Sequence, residues 1–583
     1  MPRGTISGSR TRLLAIVCVS IMAIFIVRLF YLQVIRHDYY VTQANQEQLK
    51  RLVIPAARGE IYAMDGSTPV KLVLNETVYT VFVDPSVVTE PKAVVEAIRS
   101  IAGGNARDNL DELVTKKKIN DKEIRYQIVA TKVTRAQAEL MKKRNLKGLG
   151  FQAVSQRVYP EGQLAAQTLG FVDNDGKGQY GVEQYMNKRL VGKDGLLQAV
   201  TDVSNVPLTI GKNSINKPAQ NGDNIVLTID RNIQSYTEKA LADGLARTHA
   251  TNGSAIVMDP QTGKVLAMAN LPTYDPGQYN VADPQAYNNG VVSEPYEAGS
   301  VFKTFTVATG LDKGVIEPNS TYVNTDSIKV EDQTIVNAAL GHTGTITIQD
   351  ALNFSLNTGM VTIAQRLGDG SQITKGARDT IYDYYHNKFG LGSLTGIQVS
   401  GEQEGRVISP EEQEGNAVRY SNMVFGQGLD ITMVQVAAGF SALVNGGTYY
   451  SPTVIDGVMK DDGQLAPEKA LAPRPSTVSK TTSDKLRNMI YTARQSLKPG
   501  DRAGYYVGGK TGTSQTIENG HYVFNQTIAS YLGYGGTEDS SKYVIMVKLS
   551  GKNMNLEGNI HANPIFTDIS NWMLDYMKIQ PKG

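Results

Sequence analysis

The sequence has little cysteine, histidine and tryptophan, and its charges almost cancel. Its 583 residues include one cysteine, six histidines and one tryptophan, and the formal net charge is +2 from 58 basic and 56 acidic residues. The single cysteine, Cys18, excludes an internal disulfide, and the histidines form no H-E-x-x-H pattern, so we expect no metal and no other cofactor. The balanced charge and the lack of a long basic run argue against a nucleic-acid partner.

The letters of a phosphate-binding motif occur near the C-terminal end, but their surroundings do not fit it. Residues 504–511, GYYVGGKT, match G-x-x-x-x-G-K-[ST], which binds phosphate where a strand enters the glycine loop and a helix starts at the lysine. Here a helix-periodic stretch and a polar turn at 498–501 precede the glycines, and Asn519-Gly520 between two β-rich runs predicts a hairpin turn. We therefore expect Lys510 on a strand and disfavour an ATPase.

A long apolar stretch near the N-terminus predicts a membrane anchor. Residues 13–27 read LLAIVCVSIMAIFIV, and apolar residues continue after Arg28, which gives the roughly twenty residues that a membrane span requires. Large residues follow Val27, where a cleaved signal peptide has small ones. Three arginines precede the stretch, so we expect residues 1–12 in the cytoplasm, 13–35 in the plasma membrane and the remainder outside. A buried core helix is the alternative.

Two further regions follow the apolar stretch. Residues 36–220 are polar, of mixed charge and without a catalytic motif, so we expect a non-catalytic domain there. The Gly-, Asn- and Pro-rich stretch 211–224 indicates a boundary. Strand and helix patterns mix over 225–583, and two strands are predicted around a turn from Asp259 to Gly263. The second domain is therefore predicted to be of the α/β (α+β) class.

The first of three short motifs is Ser300-x-x-Lys303. It opens a stretch with helical periodicity, in which the hydroxyl and the amine would lie one turn apart. A buried lysine near another cation can be neutral and activate a serine nucleophile, and the N–H of Ser300 can donate to a developing oxyanion. The alternative is a helix-starting serine with a surface lysine. Ser214 and Lys217 match the same pattern just before Pro218, where no helix can position them, so this motif alone is weak evidence.

The second motif is Ser355-x-Asn357. Thr347 and Asp350 form a capping-box pattern at the start of one predicted helix, and helical periodicity resumes at Asn357, so Ser355 is expected where two helices meet. In such a corner a hydroxyl can relay a proton and an amide can orient a substrate amide. Both residues can equally be ordinary helix caps.

The third motif is Lys510-Thr511-Gly512-Thr513. On an exposed strand edge, a lysine and two hydroxyls form a seat for a carboxylate, and glycine allows a substrate backbone to approach closely. The strand can pair with an extended peptide, and the N–H of Thr513 can complete an oxyanion hole. Lys510 is also a candidate for the cation that lowers the pKa of Lys303.

The order S-x-x-K, S-x-N and K-T-G resembles the signature of the penicillin-recognising serine acyltransferases. The spacing, 55 residues from Ser300 to Ser355 and 155 more to Lys510, is similar to that of penicillin-binding proteins rather than compact β-lactamases. Several longer stretches resemble class B penicillin-binding proteins, the membrane-anchored peptidoglycan transpeptidases, and cover most of the chain: RLFYLQV, RGEIYAMDG, VYPEGQLAAQTLGF, GQYGVEQYMNKRLVG, GSAIVMDPQTGKVLAMANLPTYDP and FGQGLDITMVQVAAGFSALVNGG.

This resemblance implies a D,D-transpeptidase. Residues 36–220 would form a pedestal, or dimerisation-like, domain, and 225–583 a transpeptidase domain of the penicillin-binding-protein and β-lactamase fold. The implied substrates are peptidoglycan stem peptides, with β-lactams as covalent inhibitors and a membrane-embedded glycosyltransferase and divisome or elongasome proteins as partners. Asn357 favours division, because lateral-wall members of some bacteria carry Asp there. The signature E-D-x-x-F-x-x-H-x-G is absent, so no glycan polymerisation is expected.

The resemblance also implies roles for the motif residues. Ser300 would be the nucleophile, Lys303 its general base and Ser355 a proton relay, and Asn357 would bind the donor peptide. The seat for the terminal carboxylate of D-Ala-D-Ala or of a β-lactam would consist of Lys510, Thr511, Gly512 and Thr513.

Two positions depart from the family pattern, and two other functions stay open. Ala63 and Met64 stand where Asp-Arg is usual, which puts an ion pair of the pedestal in doubt, and Gly535-Gly536 stand where Ala-Pro or a similar pair is common. A D,D-carboxypeptidase or a β-lactamase-like sensor would use the same acylation and release the acyl group to water. A non-catalytic wall-assembly scaffold would instead use the pedestal as its working surface.

Overall fold

The computed structural model describes residues 8–40, 49–119, 122–200, 215–498, 500–518 and 520–582. Residues 1–7 of the predicted cytoplasmic segment, Ser214, Pro499 of the polar turn and Asn519 of the hairpin turn lie outside these ranges. The chain divides into two compact units, Met1–Ala57 with Val191–Gly222 and Arg58–Leu190 with Asp223–Gly583.

The α-helices and strands are numbered in chain order. The helices are α1 (Gly8–Phe30), α2 (Pro91–Ala102), α3 (Leu110–Thr115), α4 (Arg135–Lys143), α5 (Ala166–Leu169), α6 (Gly181–Tyr185), α7 (Asn187–Leu190), α8 (Arg231–Thr248), α9 (Gly290–Ser293), α10 (Lys303–Asp312), α11 (Ile348–Asn353), α12 (Asn357–Leu367), α13 (Lys375–Tyr382), α14 (Ala417–Met423), α15 (Met433–Val444), α16 (Lys480–Ser496) and α17 (Asn563–Tyr576). The strands are β1 (Leu49–Ile54), β2 (Ile61–Asp65), β3 (Thr68–Val83), β4 (Lys118–Ile119), β5 (Lys122–Glu123), β6 (Gln127–Val133), β7 (Leu149–Val158), β8 (Phe171–Val172), β9 (Gly178–Gln179), β10 (Gly195–Val200), β11 (Ile215–Lys217), β12 (Asn224–Asp230), β13 (Asn252–Met258), β14 (Val265–Leu271), β15 (Thr321–Asn324), β16 (Ser327–Val330), β17 (Gln333–Val336), β18 (Gly344–Thr347), β19 (Ile455–Met459), β20 (Leu465–Pro467), β21 (Tyr506–Glu518), β22 (His521–Gly536) and β23 (Ser541–Ser550).

In the first unit, α1 and the π-helical turn Tyr31–Ile35 that follows it form an apolar helix. The segment Arg10–Ile35 is long and apolar enough to cross a membrane, and it is the one such helix among the described residues. This agrees with the apolar helix predicted at 13–35. Strands β1, β10 and β11 of the same unit form an antiparallel sheet with β10 in the centre.

A seven-stranded sheet in the second unit combines strands from both predicted domains. Its order is β20-β19-β12-β2-β3-β6, and β7 also pairs with β3. Strand β12 runs parallel to β2, with Ile225 opposite Ile61. Helices α2, α3 and α4 share a core with β3 and β6 around the fully buried Ile98. One sheet therefore crosses the predicted division into 36–220 and 225–583, and that division stays a prediction.

A buried ion cluster holds several segments of this unit together. Arg58 Nε donates to Glu183 Oε2 at 2.9 Å, and Arg157 Nε donates to Glu183 Oε1 at 2.7 Å. Glu183 is fully buried, as is Ala63 on β2, where the family pattern has a charged residue. The unit thus has a buried ion cluster without that Asp-Arg pair. Removing one partner of such a cluster is strongly destabilising because a buried charge is left unpaired.

A second large sheet has the order β14-β13-β23-β22-β21 and is antiparallel throughout. Side chains alternate along a strand, so β23 contributes to a core on each face. Ile545 and Val547 pack with α8 and α17, whereas Val544 and Met546 belong to the core that includes α10, α15 and α16. Both faces are therefore covered, and β21, which carries Lys510, lies at an edge.

The segments around this sheet fold as their patterns predicted, and the mixed α/β class is confirmed. Helix α16 covers the periodic stretch before residue 498, β21 and β22 form the predicted hairpin, and β13 and β14 flank the turn from Asp259 to Gly263. Lys510 lies inside a strand, which disagrees with a phosphate-binding loop. Gly535 pairs with Tyr543, and a Cβ at Gly535 would lie 2.2 Å from the tyrosine hydroxyl, which accounts for glycine there.

Candidate active site

Ser300 lies in a short 3₁₀ turn, Gly299–Phe302, that leads directly into α10. The helix predicted near Ser300 therefore begins as this turn and becomes α-helical at Lys303. Gly299 has a φ of 61°, and a Cβ at this position would lie 2.7 Å from the carbonyl oxygen of Thr513. Glycine is needed because both the backbone conformation and the close approach exclude a side chain. The turn is thereby packed directly against β21.

Lys303, the first residue of α10, is fully buried. Its Nζ donates to the carbonyl oxygen of Ser355 and, at 3.2 Å, to Ser355 Oγ. Burial lowers the pKa of Lys303 well below its ordinary value, and the nearby charge of Lys510 lowers it further. The amine is therefore biased toward the neutral form, which is the form that can accept a proton.

Ser355 lies between α11 and α12, at the corner that the helical patterns predicted. The predicted capping box of Thr347 and Asp350 is present at the start of α11. Ser355 has a φ of 58°, in the left-handed region that residues with a side chain seldom adopt. A strained backbone of this kind is often found at functional sites. The conformation holds the Ser355 hydroxyl between the amines of Lys303 and Lys510.

Lys510 is almost completely buried on β21. Its Nζ donates to Ser355 Oγ at 2.9 Å and to the carbonyl oxygen and Oγ1 of Thr511, both at 3.2 Å. Burial lowers the pKa of Lys510 to about 7. The three sequence motifs are thus joined by one hydroxyl, since Ser355 accepts a hydrogen bond from the lysine of each of the other two.

Gly512 and Thr513 shape the edge of β21 beside the 3₁₀ turn. A Cβ at Gly512 would lie 2.3 Å from Ser530 Oγ and 2.9 Å from the Val301 side chain, so glycine allows the turn to approach the strand. Thr513 is exposed, and its Oγ1 accepts a hydrogen bond of 3.1 Å from the N–H of Gly558. The edge therefore presents Thr513 to solvent next to Ser300.

Asn357 is the first residue of α12 and lies partly exposed. Its Nδ2 donates to the carbonyl oxygen of Val336 at 2.9 Å. The next N–H of the helix, that of Thr358, donates to Asn337 Oδ1 at 3.0 Å. The last residue of β17 and the residue that follows it thus fix the start of α12. The sequence interpretation missed Asn337, which belongs to no recognisable motif.

Glu297 and Tyr522 also border the site and were not singled out from the sequence. Glu297 Oε1 accepts hydrogen bonds from the N–H of Gly428 at 2.6 Å and from Tyr522 OH at 3.0 Å. Burial raises the pKa of Glu297. The carboxyl group therefore ties the β21–β22 hairpin to the segment three residues before Ser300. The available signal was an acidic residue three positions before the Ser300 motif.

Two family models match the chain. The model described as penicillin binding protein transpeptidase domain matches residues 253–571, and the model described as penicillin-binding protein dimerisation domain matches residues 53–227. The first covers all three motifs of the site. The second covers much of the region predicted as a pedestal.

Curated relatives and solved structures agree with these matches. Stage V sporulation protein D of Bacillus subtilis is 29% identical over 98% of this chain and 87% of its own length, and peptidoglycan D,D-transpeptidase FtsI of Escherichia coli is 26% identical over 96% and 90%. The crystal structure of penicillin binding protein 3 from Mycobacterium tuberculosis complexed with aztreonam superposes with a TM-score of 0.68 at 25% identity, covering 91% of this chain and 98% of that one. A peptidoglycan synthetase from Bifidobacterium adolescentis has a TM-score of 0.71 at 24% identity, covering 92% and 98%. The chain belongs to the penicillin-binding proteins that carry a transpeptidase domain and a dimerisation domain.

Proposed function

We propose that this protein is a serine-type peptidoglycan D,D-transpeptidase that cross-links stem peptides through an acyl-enzyme on Ser300. The observation that carries the proposal is the shared hydroxyl of Ser355, which accepts from Lys303 and Lys510 beside the turn that holds Ser300. Family membership supports it, and two curated relatives have names that state peptidoglycan D,D-transpeptidase activity.

In the proposed acylation, Ser300 Oγ attacks the carbonyl carbon between the two D-alanines of a stem peptide. The hydroxyl proton passes to the neutral amine of Lys303, and the C–N bond breaks as Lys303 returns this proton, by way of Ser355, to the leaving amine of D-Ala. The N–H groups of Ser300 and Thr513 stabilise the oxyanion. The amine of a second stem peptide then attacks the ester carbonyl and forms the cross-linking amide bond. The ester C–O bond breaks as the amine proton passes by way of Lys303 to Ser300 Oγ, which frees Ser300.

The terminal carboxylate of the donor is assigned to Lys510 and to the hydroxyls of Thr511 and Thr513, with Gly512 giving the backbone room to approach. A bound carboxylate favours the charged form of Lys510, whose pKa burial lowers to about 7. Substrate binding therefore strengthens the cation that keeps Lys303 neutral. The side chain of Asn357, oriented by the carbonyl of Val336, binds an amide of the donor peptide.

The apolar helix Arg10–Ile35 is proposed to anchor the protein in the plasma membrane, with the N-terminus in the cytoplasm and the catalytic domain outside. Residues 36–220 serve as the pedestal in this proposal and 225–583 as the transpeptidase domain. A membrane-embedded glycosyltransferase and divisome or elongasome proteins are the proposed partners. β-Lactams are proposed as covalent inhibitors that acylate the same serine.

Labelling with penicillin tests the nucleophile. The full chain in detergent is incubated with a labelled penicillin, and tryptic peptides are analysed by mass spectrometry. We expect a single adduct on the peptide that contains Ser300, its loss in Ser300→Ala and its retention in Ser214→Ala, the other serine in an S-x-x-K match. Labelling of Ser300→Ala at the wild-type level would refute the assignment. Rapid release of the adduct by water would favour the hydrolase alternative, and no adduct on folded protein would favour the scaffold.

A further inference from the structure

A cleft outside the motif residues is lined mostly by neutral polar side chains. It has a volume of about 420 Å³ and lies between the start of α6 and the segments 287–294 and 400–403. Among the residues that line it, Glu294 alone is charged, and its carboxylate is paired with Lys548 at 2.7 Å. The remaining lining consists of amides, hydroxyls, backbone and two tyrosine rings. The lining has no cationic side chain, so its composition does not suit a phosphate.

The floor of the cleft is fixed by internal hydrogen bonds. Asn289 is buried, and its Oδ1 accepts from Asn270 Nδ2 at 3.0 Å and from the N–H of Val291 at 3.2 Å. Gln167 Nε2 donates to the carbonyl oxygens of Pro272 and Ala286, both at 3.0 Å. The oxygen of Asn289 and the amide nitrogen of Gln167 are thus already hydrogen-bonded within the protein. The floor is therefore preformed, as in most small-molecule sites.

The rim of the cleft, by contrast, carries polar groups that are free to bind a ligand. The side chains of Asn288 and Gln403 are exposed and form no hydrogen bond with any residue in the described ranges. Ser400 is partly exposed, and its hydroxyl also forms no hydrogen bond within those ranges. Their backbones are held, since the N–H of Ser400 donates to Gly181 O at 3.3 Å and that of Gln403 to Val292 O at 2.9 Å. Two amides and a hydroxyl thus stand at fixed places around one opening.

Tyr180 adds an aromatic wall in a strained conformation. Its φ is 57°, which is rare for a bulky residue and persists only where the surroundings hold it. The ring contacts Phe171, with 5.9 Å between ring centroids, and Tyr287, at 5.3 Å. It remains partly exposed in the cleft. An apolar ring face beside free amides and a hydroxyl suits a ligand that combines hydroxyl and amide groups with an apolar face.

The cleft shares the lining residue Glu294 with a neighbouring cleft that reaches β21. Glu294 also lines a neighbouring cleft, together with Thr516 of β21 and Lys548. Thr516 follows Thr513 by three residues, about 10 Å along an extended strand. A polymer bound in the neutral cleft would therefore reach the strand edge that receives the stem peptide in the proposed function.

We propose that this cleft binds the glycan strand of the substrate through an N-acetylated sugar, with Asn288, Ser400 and Gln403 as hydrogen-bonding residues and Tyr180 as the stacking ring. The proposal rests on the proposed transpeptidase function, since peptidoglycan joins such sugars to the stem peptides. Sugar hydroxyls and acetamido groups match the free rim groups in kind, and the absence of net charge matches the neutral lining.

Binding of a neutral oligosaccharide tests this proposal. The full chain in detergent is titrated with the β-1,4-linked tetramer of N-acetylglucosamine, and binding is followed by saturation-transfer NMR. We expect the double variant Asn288→Ala/Gln403→Ala to weaken binding at least tenfold. Asn174→Ala, which removes an exposed amide outside the cleft, should bind as wild type. Both variants should match wild type in thermal unfolding and in penicillin acylation, because the amides of Asn288 and Gln403 form no hydrogen bond within the described part of the fold.

The outcomes separate this proposal from the proposed function. No binding to wild type, or equal binding to the double variant, would overturn the glycan site. Displacement of the tetramer by a stem pentapeptide without sugar would overturn the ligand class and assign the cleft to peptide. If penicillin does not acylate wild type, this result would count against the proposed function alone. In transpeptidation assays, the double variant should raise KM for glycan-linked donors and leave KM for free peptides unchanged.

Discussion

Lys303 and Lys510, 207 residues apart in sequence, donate hydrogen bonds to the same Ser355 hydroxyl. Charging two amines that lie so close together costs free energy, because like charges repel each other. Both amines are also buried, which disfavours their charged forms. Lys303 is the more strongly affected, since burial and the charge of Lys510 act on it together. We therefore infer that Lys303 is the base and Lys510 the cation.

The variant Lys510→Gln should move the acidic limb of the acylation profile to higher pH. Lys303 must be neutral to accept a proton, and the charge of Lys510 lowers its pKa, so removing that charge raises the pKa of Lys303. The maximal penicillin acylation rate, measured from pH 5 to 9, should therefore fall more at pH 6 than at pH 9. Thr511→Val removes a carboxylate contact without changing charge and should weaken penicillin binding while leaving the limb in place. An unshifted limb in Lys510→Gln would contradict the coupling.

Replacing Ser355 should distinguish the effect of its hydroxyl on acylation from the effect of its backbone conformation on stability. Ser355→Ala and Ser355→Gly both remove the hydroxyl, and loss of a proton relay typically lowers rates by about 10²–10⁴. Ser355 has a φ of 58°, which glycine adopts freely, so the glycine variant should be the more stable by about 1 kcal/mol. Acylation rates and thermal unfolding of the two variants provide the measurements. Wild-type acylation by either variant would exclude Ser355 as the relay.

A side chain at Gly299 should disrupt the contact between the 3₁₀ turn and β21. Gly299→Ala places a Cβ 2.7 Å from the carbonyl oxygen of Thr513, in addition to the strain of a positive φ. The matched control is Gly314→Ala, because Gly314 has a φ of 67° and open space around it. We expect the control to lose about 1–2 kcal/mol and to keep its acylation rate. Gly299→Ala should lose more stability and most acylation, and equal losses in the two variants would count against the contact.

Glu297 should make folding stability depend on pH. Burial raises the pKa of Glu297, so the folded state binds its proton more tightly than the unfolded state does. This contribution is favourable at low pH and is lost as pH rises from the unfolded pKa through the folded one. Glu297→Gln keeps an oxygen acceptor for Gly428 and Tyr522 and removes the ionisation.

Thermal unfolding at pH 4 and pH 7 provides the test for Glu297. The Tm of Glu297→Gln relative to wild type should be higher at pH 7 than at pH 4, because at pH 7 the wild type must bury a charged carboxylate at position 297 and the variant buries a neutral amide there. Tyr522→Phe leaves the carboxyl group ionisable and removes a hydrogen bond that lowers the pKa of Glu297, so its Tm should fall from pH 4 to pH 7 at least as much as that of wild type. A difference between Glu297→Gln and wild type that is the same at both pH values would refute this reading of the buried carboxyl.

The sequence was sufficient for features that depend on local patterns. The apolar helix near the N-terminus, the capping box at Thr347 and the hairpin that places Lys510 on a strand each follow from neighbouring residues, and the structure has all of them. The three motifs were found for the same reason, since each is defined by residues within four positions. The roles that were assigned to them stay predictions until acylation is measured.

Other features depend on contacts between distant parts of the chain. The sheet that joins β2 to β12, the hydrogen bond from Tyr522 to Glu297 and the cap of Asn337 on α12 connect residues whose patterns do not indicate each other. The direction in which the pKa of either lysine shifts follows only from its burial, because desolvation arises from the whole surrounding core. The sequence alone thus determined the family resemblance and the identity of the candidate reactive groups. Tertiary structure alone decided which amine is buried beside which hydroxyl, because that depends on packing between segments far apart in the chain.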